Sequence, residues 1–291
     1  MASLKAIRRR ITSVKSTQQI TRAMKLVAAS RLRRAQEALA NAIPYSEALK
    51  RVADSVLTSE GISAGPREDA AKRSLLVIVA SDRGLCGGYN TNLLRAGDEA
   101  RRNTAKAGFE VELFAVGKKA ADHFKRSGVA VAAARVDNQP RLATIGLARD
   151  IAARMLSEYQ SGAISEAAVV YTSFKSALTQ TPVYERVLPV EPPAESESSK
   201  TETAKIDYLV EPSRAELVPV ILRGYLEATV YHALLEAEAS EHGARMTAMD
   251  SATNNAVEMI GSLTLEMNRA RQAQITRELM DIVGGAEALR G

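Results

Sequence analysis

Cysteine occurs once in the 291 residues, at Cys86, and tryptophan does not occur at all. A lone thiol excludes an internal disulfide framework and suits a reducing compartment. The three histidines, His123, His232 and His242, are scattered without metal-ligand spacing, so no metal site is expected. Aromatic residues make up 4% of the chain, too few to build the stacking platforms on which single-stranded nucleic acid is read. No apolar run reaches the roughly 18 to 20 residues that a membrane span requires, and the N-terminus lacks the apolar stretch of a secretory signal. The expectation is a soluble protein, able to work beside a membrane but not across it. Two further scarcities are local. Residues 1–36 contain no acid, and neither glycine nor proline interrupts Ser3 to Ile43.

What is present is 46% hydrophobic and 25% charged, the balance of a globular chain of one large or two small domains. The net charge of +5 hides an asymmetry, because residues 1–36 carry ten Lys and Arg and the rest of the chain nets −5. Such a basic start fits a nucleic-acid arm, an organelle transit peptide, or a helix whose charged face meets an acidic protein surface. A removable peptide should end in a processing boundary, whereas this pattern continues through Ala28, Leu32, Ala35 and Leu39. The scarcity of aromatics weighs against nucleic acid. The protein-surface reading is favoured, and a nucleic-acid arm stays as a lesser alternative.

Helical periodicity dominates both ends. From Leu4 the apolar positions Ile7, Ile11 and Val14 alternate three and four residues; a polar rung at Thr17 follows, and Ile20, Met24 and Val27 resume the stripe. Pro44 marks a place for a kink, and the helical pattern runs on to Leu57 before the glycines and proline of GISAGPRED make a loop. At the other end, Ala244 to Val283 has no proline and only Gly261 as a weak helix former, enough for roughly 60 Å of helix. Its stripe of Met249, Thr253, Ala256, Ile260, Leu263, Met267 and Ala270 is equally narrow. A thin 3.5-residue seam needs another helix beside it, and the two ends can bury each other by pairing antiparallel.

Between them the period changes. Ser74–Ala80, Phe109–Val116, Val129–Val136, Glu166–Phe174 and Val183–Val190 read as strands, with helices at Thr91–Ala107, Lys118–Arg126 and Thr144–Gln160. Alternating strands and helices imply a mostly parallel, Rossmann-like sheet covered on both faces. The predicted architecture is thus α/β, with a long antiparallel coiled coil of the N- and C-terminal helices and an inserted α/β domain. Its parts are an N-terminal helix over 1–60, the α/β domain over 74–190, an acidic Ser-rich flexible linker over 191–207, and a C-terminal segment over 208–291. That last segment begins with an extended piece around Tyr208 and becomes helical near Ser213.

The one stretch placed to carry chemistry is SDRGLCGGYN, Ser81 to Asn90, which follows the first strand and precedes a helix, where α/β proteins hold ligands. Gly84, Gly87 and Gly88 satisfy neither the phosphate-loop nor the dinucleotide spacing, so a tight loop or contact surface is favoured over a nucleotide site. Cys86 has no histidine near it in sequence to activate it. Asp82 has no second acid in its loop with which to hold a cation. The methionines 246, 249, 259 and 267 fit helix packing better than any cofactor box. An α/β enzyme or nucleotide-binding domain with coiled-coil arms stays open as the alternative, with the Gly84 loop as its site.

Three stretches, ASLKAIRRRITSVKSTQQITRAMKLVAASRLRRAQ, SDRGLCGGYN, and ARMTAMDSATNNA with NRARQAQITRELMDIVGGAEAL, occur in order across essentially the whole chain. Together they resemble the γ subunit of the F-type rotary ATP synthase in its bacterial form. The resemblance implies a non-catalytic central shaft without cofactor. It would penetrate a head of three α and three β subunits and stand with an ε subunit on the membrane c ring, peripheral to the cytoplasmic face of the inner membrane. It would bind neither nucleic acid nor a small-molecule substrate of its own. By the same resemblance Arg269, Arg271 and Gln272 meet a polar loop of β, and Met24 and Arg245 lie where the shaft passes the moving β lever. The Cys86 loop lies under the lower rim of the head. Ile275, Leu279, Ile282, Val283 and Leu289 form a tip turning in an apolar sleeve. Two departures stand out: one cysteine cannot form the redox pair of plant chloroplast members, and the segment Glu191–Lys205 is longer than the family pattern.

Overall fold

The computed structural model describes residues 4–58, 70–135, 143–190 and 214–288. The GISAGPRED loop, the 191–207 linker, the piece around Tyr208 and Leu289 lie outside them. In chain order the elements are α1 (Leu4–Thr58), β1 (Arg73–Val79), α2 (Tyr89–Lys106), β2 (Glu110–Val116), α3 (Lys118–Arg126), β3 (Ala133–Arg135), α4 (Ile145–Gln160), β4 (Glu166–Phe174), β5 (Gln180–Leu188) and α5 (Arg214–Ala288). Pro44 lies inside α1 and Pro219 near the start of α5, and neither ends its helix. The chain divides into two units, Met1–Ala28 with Met246–Gly291, and Ala29–Arg245.

In the first unit the ends of α1 and α5 run antiparallel. Thr21 meets Thr253 hydroxyl to hydroxyl at 2.8 Å, and Lys25 Nζ lies 2.6 Å from Asp250 Oδ1, so one number rises as the other falls. Pairing one for one from Thr21–Thr253 sets Gln18 level with Ala256, Val14 with Ile260, Ile11 with Leu263, Ile7 with Met267 and Leu4 with Ala270. Every one of these residues is buried or half-buried. The α5 seam therefore follows the predicted stripe. The α1 seam departs from it: Gln18, Thr21, Lys25 and Ala28 take the inward side, whereas Ile20 and Val27 are 60% and 53% exposed, Thr17 is exposed and Met24 is half-buried. The strict three-four alternation begun at Leu4 continues unshifted through this stretch, and apolar identity does not follow it. Polar rungs in such a seam lower stability and fix register. Beyond Ala270, which lies level with the first described residue of α1, every residue from Arg271 to Ala286 is exposed.

In the second unit the sheet order is β3-β2-β1-β4-β5, parallel except for β5, which runs antiparallel to β4. β1 is buried along nearly its whole length because both faces are covered. Leu75, Val77 and Val79 point into a core shared with Leu147, Ile151 and Met155 of α4 and Leu226, Val230 and Leu234 of α5. Leu76 and Ile78 point the other way, into a core with Leu93 of α2 and Phe124 of α3. Of the strand expected over Val129–Val136, the described residues form a strand over Ala133–Arg135, which pairs with β2 and exposes Ala134 and Arg135; Val136 lies outside the described residues. None of the helices described is long and apolar enough to cross a membrane.

Candidate functional site

In a parallel sheet the ligand crevice opens beyond the carboxyl ends of the strands where the winding reverses, here between β1 and β4. The loop leaving β1 at this point is sharply folded. Leu85 and Gly87 adopt left-handed conformations at φ 62° and 56°. Ser81 Oγ donates to the Arg83 carbonyl at 2.7 Å, Asn90 Oδ1 accepts from Ser81 N at 3.2 Å, and Asp82 Oδ1 accepts from Lys118 N at 2.7 Å. The residues read from sequence as candidate chemistry, Asp82 and the glycines, thus serve the turn itself.

The crevice is filled by α5. Every residue from Ala237 to Arg245 is buried, about two turns of helix enclosed on all sides although Glu238, Ser240, Glu241, His242 and Arg245 are polar. Polar groups so placed require partners, and they find them on several elements. Tyr89 OH donates to the Ala237 carbonyl at 3.2 Å and Ser240 Oγ to the Thr172 carbonyl at 2.9 Å. Glu238 Oε2 accepts from Ala143 N at 3.0 Å. Arg245 Nη1 is 2.6 Å from Glu241 Oε1, and Arg245 Nη2 donates to the carbonyls of Arg83 and Gly84 at 3.4 and 3.3 Å. Gly243 packs where a Cβ would stand 3.3 Å from the Phe174 ring and 3.4 Å from Ala177.

Burial sets the charge states here. It pushes the Cys86 thiol and the Tyr89 phenol up, and it raises the Glu241 carboxyl against the pull of Arg245. His242 falls to about 4, through burial first and then the positive Arg245 and Arg31. Its Nδ1 lies 3.3 Å from Arg245 Nη1, which can only donate, so Nδ1 accepts and the proton of the neutral ring sits on Nε2. Cys86 is 1% exposed and packed with Tyr89 and Ala244, its Sγ accepting from Asn90 Nδ2 at 3.1 Å. A protonated, enclosed thiol with no activating base is a poor nucleophile.

Cys86 and Arg245 thus point inward. The outward feature of their loop is Leu85, 64% exposed, at the rim of a groove of about 600 Å³. Arg95, Arg102, Lys119 and Arg126 line that groove with Asp98, whose carboxylate lies 2.8 Å from His123 Nε2. On the other unit Arg269, Arg271 and Gln272 are exposed, as are Ile275 (48%), Leu279 (57%), Ile282 (68%) and Val283 (61%). Leu85, Tyr89, Glu238, Ser240, Glu241 and His242 were not singled out from sequence. The available signal was the run AEASEHGAR, too rich in polar and small residues for a helix core yet lying within the long helical pattern. Among the described residues no group of three or more His, Cys, Asp or Glu could hold a metal ion.

An antiparallel coiled coil of the two terminal helices with an inserted Rossmann-like domain, its ligand crevice filled by its own helix, defines a protein built around paired helices. The ATP synthase family matches residues 3–289. The ATP synthase gamma chain of Pelotomaculum thermopropionicum is 45% identical over 294 residues, covering 99% of this chain and 100% of that one. That of Desulforamulus reducens is 46% identical over 292 residues, again 99% and 100%. This chain belongs to the ATP synthase gamma-chain family. Among solved structures, the central stalk and c-ring of the Tetrahymena thermophila mitochondrial ATP synthase contains a chain 25% identical to this one. The match has a TM-score of 0.62 and covers 80% of this chain and 99% of that one. A chain of the Euglena gracilis mitochondrial ATP synthase shares the fold at 19% identity and TM-score 0.66, covering 98% and 94%.

Proposed function

We propose that this chain is the central-stalk rotor of a proton-translocating ATP synthase, carrying rotation from a membrane c ring to the catalytic β subunits of an α3β3 head. It has no catalytic site of its own. The observation that carries the reading is the register of the coiled coil: the described residues of α1 and α5 pair as far as Ala270, and the exposed stretch of α5 beyond it bears Ile275, Leu279, Ile282 and Val283. The apolar side chains of this stretch can turn in a sleeve because such contacts hold it at no one angle, although Arg277, Glu278 and Asp281 are exposed on it as well. Arg269, Arg271 and Gln272 sit at the base of that tip and present donors to a polar loop of β. Met24 and the basic α1 face lie beside the β levers. Cys86 and Arg245 act on the head indirectly, through the loop they hold, and Leu85 with its basic groove faces outward. The ε subunit and the c ring meet the α/β domain, at the cytoplasmic face of a bacterial inner membrane. An asymmetric shaft has different contacts with each β subunit, and those differential contacts shift each one among states of different nucleotide affinity.

The test is co-purification of the tagged chain from its host. Three α and three β subunits are expected with it, and the isolated chain is expected to hydrolyse no ATP. Recovery of the chain without a head, or turnover by the clean isolated protein, would overturn the reading.

A further inference from the structure

The crevice at the strand ends does in this protein what a ligand site does in others. Five separate pieces of the α/β domain converge on about two turns of α5: the Arg83–Gly84 turn, Tyr89 at the start of α2, Ala143 before α4, Thr172 in β4, and the Phe174–Ala177 corner. Their contacts are mostly main-chain carbonyls and one main-chain N–H, the groups that elsewhere grip a small molecule. The segment they grip is polar and wholly enclosed, which hydrophobic packing alone does not call for. We infer that Ala237–Arg245 is held as an internal ligand of the α/β domain, and that Arg245 is the positioning residue that locks the β1–α2 loop onto α5.

Rotation applied to the α/β domain then reaches α5 through this joint, in addition to the covalent chain. The consequence for rotation rests on the rotor reading above, whereas the joint itself does not. Arg245 suits the task because its planar fork holds Glu241 with one nitrogen and two loop carbonyls with the other. Lysine would keep the charge beside Glu241 but has no fork with which to reach both.

Cys86 is the only cysteine and sits inside the locked loop, so its reaction with dithiobis-nitrobenzoate reports opening at one site. In the purified full-length chain, Arg245→Lys is expected to speed labelling on the order of tenfold, the scale of losing charge-assisted hydrogen bonds, with little change in the thermal midpoint. Tyr89→Phe, which removes the bond to Ala237, is expected to speed it by a smaller factor. Unchanged labelling in both variants would overturn the joint. Faster labelling matched by an equal loss of global stability in both would reduce Arg245 to general support and overturn its positioning role. In the reassembled enzyme, Arg245→Lys is expected to lower protons pumped per ATP hydrolysed. Intact pumping with a loosened loop would overturn the transmission of rotation through the joint. A wild-type chain that assembles with no head would instead sink the rotor reading and leave the joint standing.

Discussion

Thr21 and Thr253 face each other across the coiled-coil seam at 2.8 Å, with Thr21 Oγ1 accepting from the Thr253 hydroxyl and donating its own proton to the Gln18 carbonyl at 3.0 Å. This pair falls in the polar stretch of a seam that is otherwise apolar towards the tip. A hydroxyl pair contributes little net stability, and each hydroxyl has a carbonyl of its own helix as a second partner, Gln18 for Thr21 and Met249 at 2.7 Å for Thr253, so the pair aligns the two helices more than it stabilises them. The neighbouring Lys25–Asp250 pair, with side chains 39% and 46% exposed, is screened by water and adds at most a fraction of a kcal/mol. Register is therefore what this stretch contributes.

The seam assignment separates two leucines that lie two residues apart. Leu263 is 9% exposed and sits level with Ile11, whereas Leu265 is 63% exposed. Leu263→Ala is expected to destabilise the coiled coil by about 2 kcal/mol, through lost burial and the cavity left behind. Leu265→Ala should stay within about 0.5 kcal/mol of the parent. Chemical unfolding followed by circular dichroism distinguishes them, and equal losses would refute the register.

Gly117 links β2 to α3 at φ 87°, and a Cβ there would run into the Ala80 carbonyl oxygen. That carbonyl cannot move freely, because Ala80 directly follows β1 and its N–H donates to the Val116 carbonyl at 2.9 Å. Gly117→Ala is expected to cost about 3 kcal/mol or more, from backbone strain plus the clash. Soluble yield and the melting midpoint would show it. A variant as stable as the parent would mean that the turn has another conformation.

His242 makes stability depend on pH with a definite sign. Its folded pKa, about 4, lies below the ordinary value of 6.5, so the unfolded chain binds the proton more readily. Stability from this group is fully present above pH 6.5 and is lost as pH falls towards 4, by up to about 3 kcal/mol. Glu241, raised by burial, works in the opposite sense from its ordinary 4.5 upward. The difference between the parent and His242→Gln isolates the histidine: their stability gap should narrow steadily between pH 6.5 and 4. A gap independent of pH would contradict a buried neutral ring.

Arg271 is exposed on α5 just past the paired region. Arg271→Ala should leave the fold of the isolated chain unchanged within about 0.5 kcal/mol while weakening assembly or coupled ATP synthesis in the reassembled enzyme. Full coupled synthesis by the variant would remove Arg271 from the proposed contact surface.

The α5 stripe and the strand-helix alternation could be read directly, because each is a local period with apolar residues where the period requires them. The α1 seam could be read only as far as Val14. After it, Ile20 and Val27 look like the natural continuation, but the geometry keeps its alternation and turns Gln18, Thr21 and Lys25 inward instead. Apolar identity misled there because Ile20 and Val27 face away from α5 and are exposed. The crevice was located correctly from the strand-turn-helix pattern at Ser81–Asn90. Its occupant was not, since Arg245 lies more than 160 residues from Gly84 and no local pattern joins them. Arg245 was singled out by resemblance alone, and its inward grip on Glu241 and the loop became visible only in three dimensions.

The pairing of α1 with α5 has a mechanical corollary. Two helices wound together resist flexure far more than one does, so the stretch fixed at Thr21 and Thr253 is stiff on its own account. A sideways push on either helix there is shared by both, because bending one would have to shear the seam contacts around Ile7, Ile11 and Leu263.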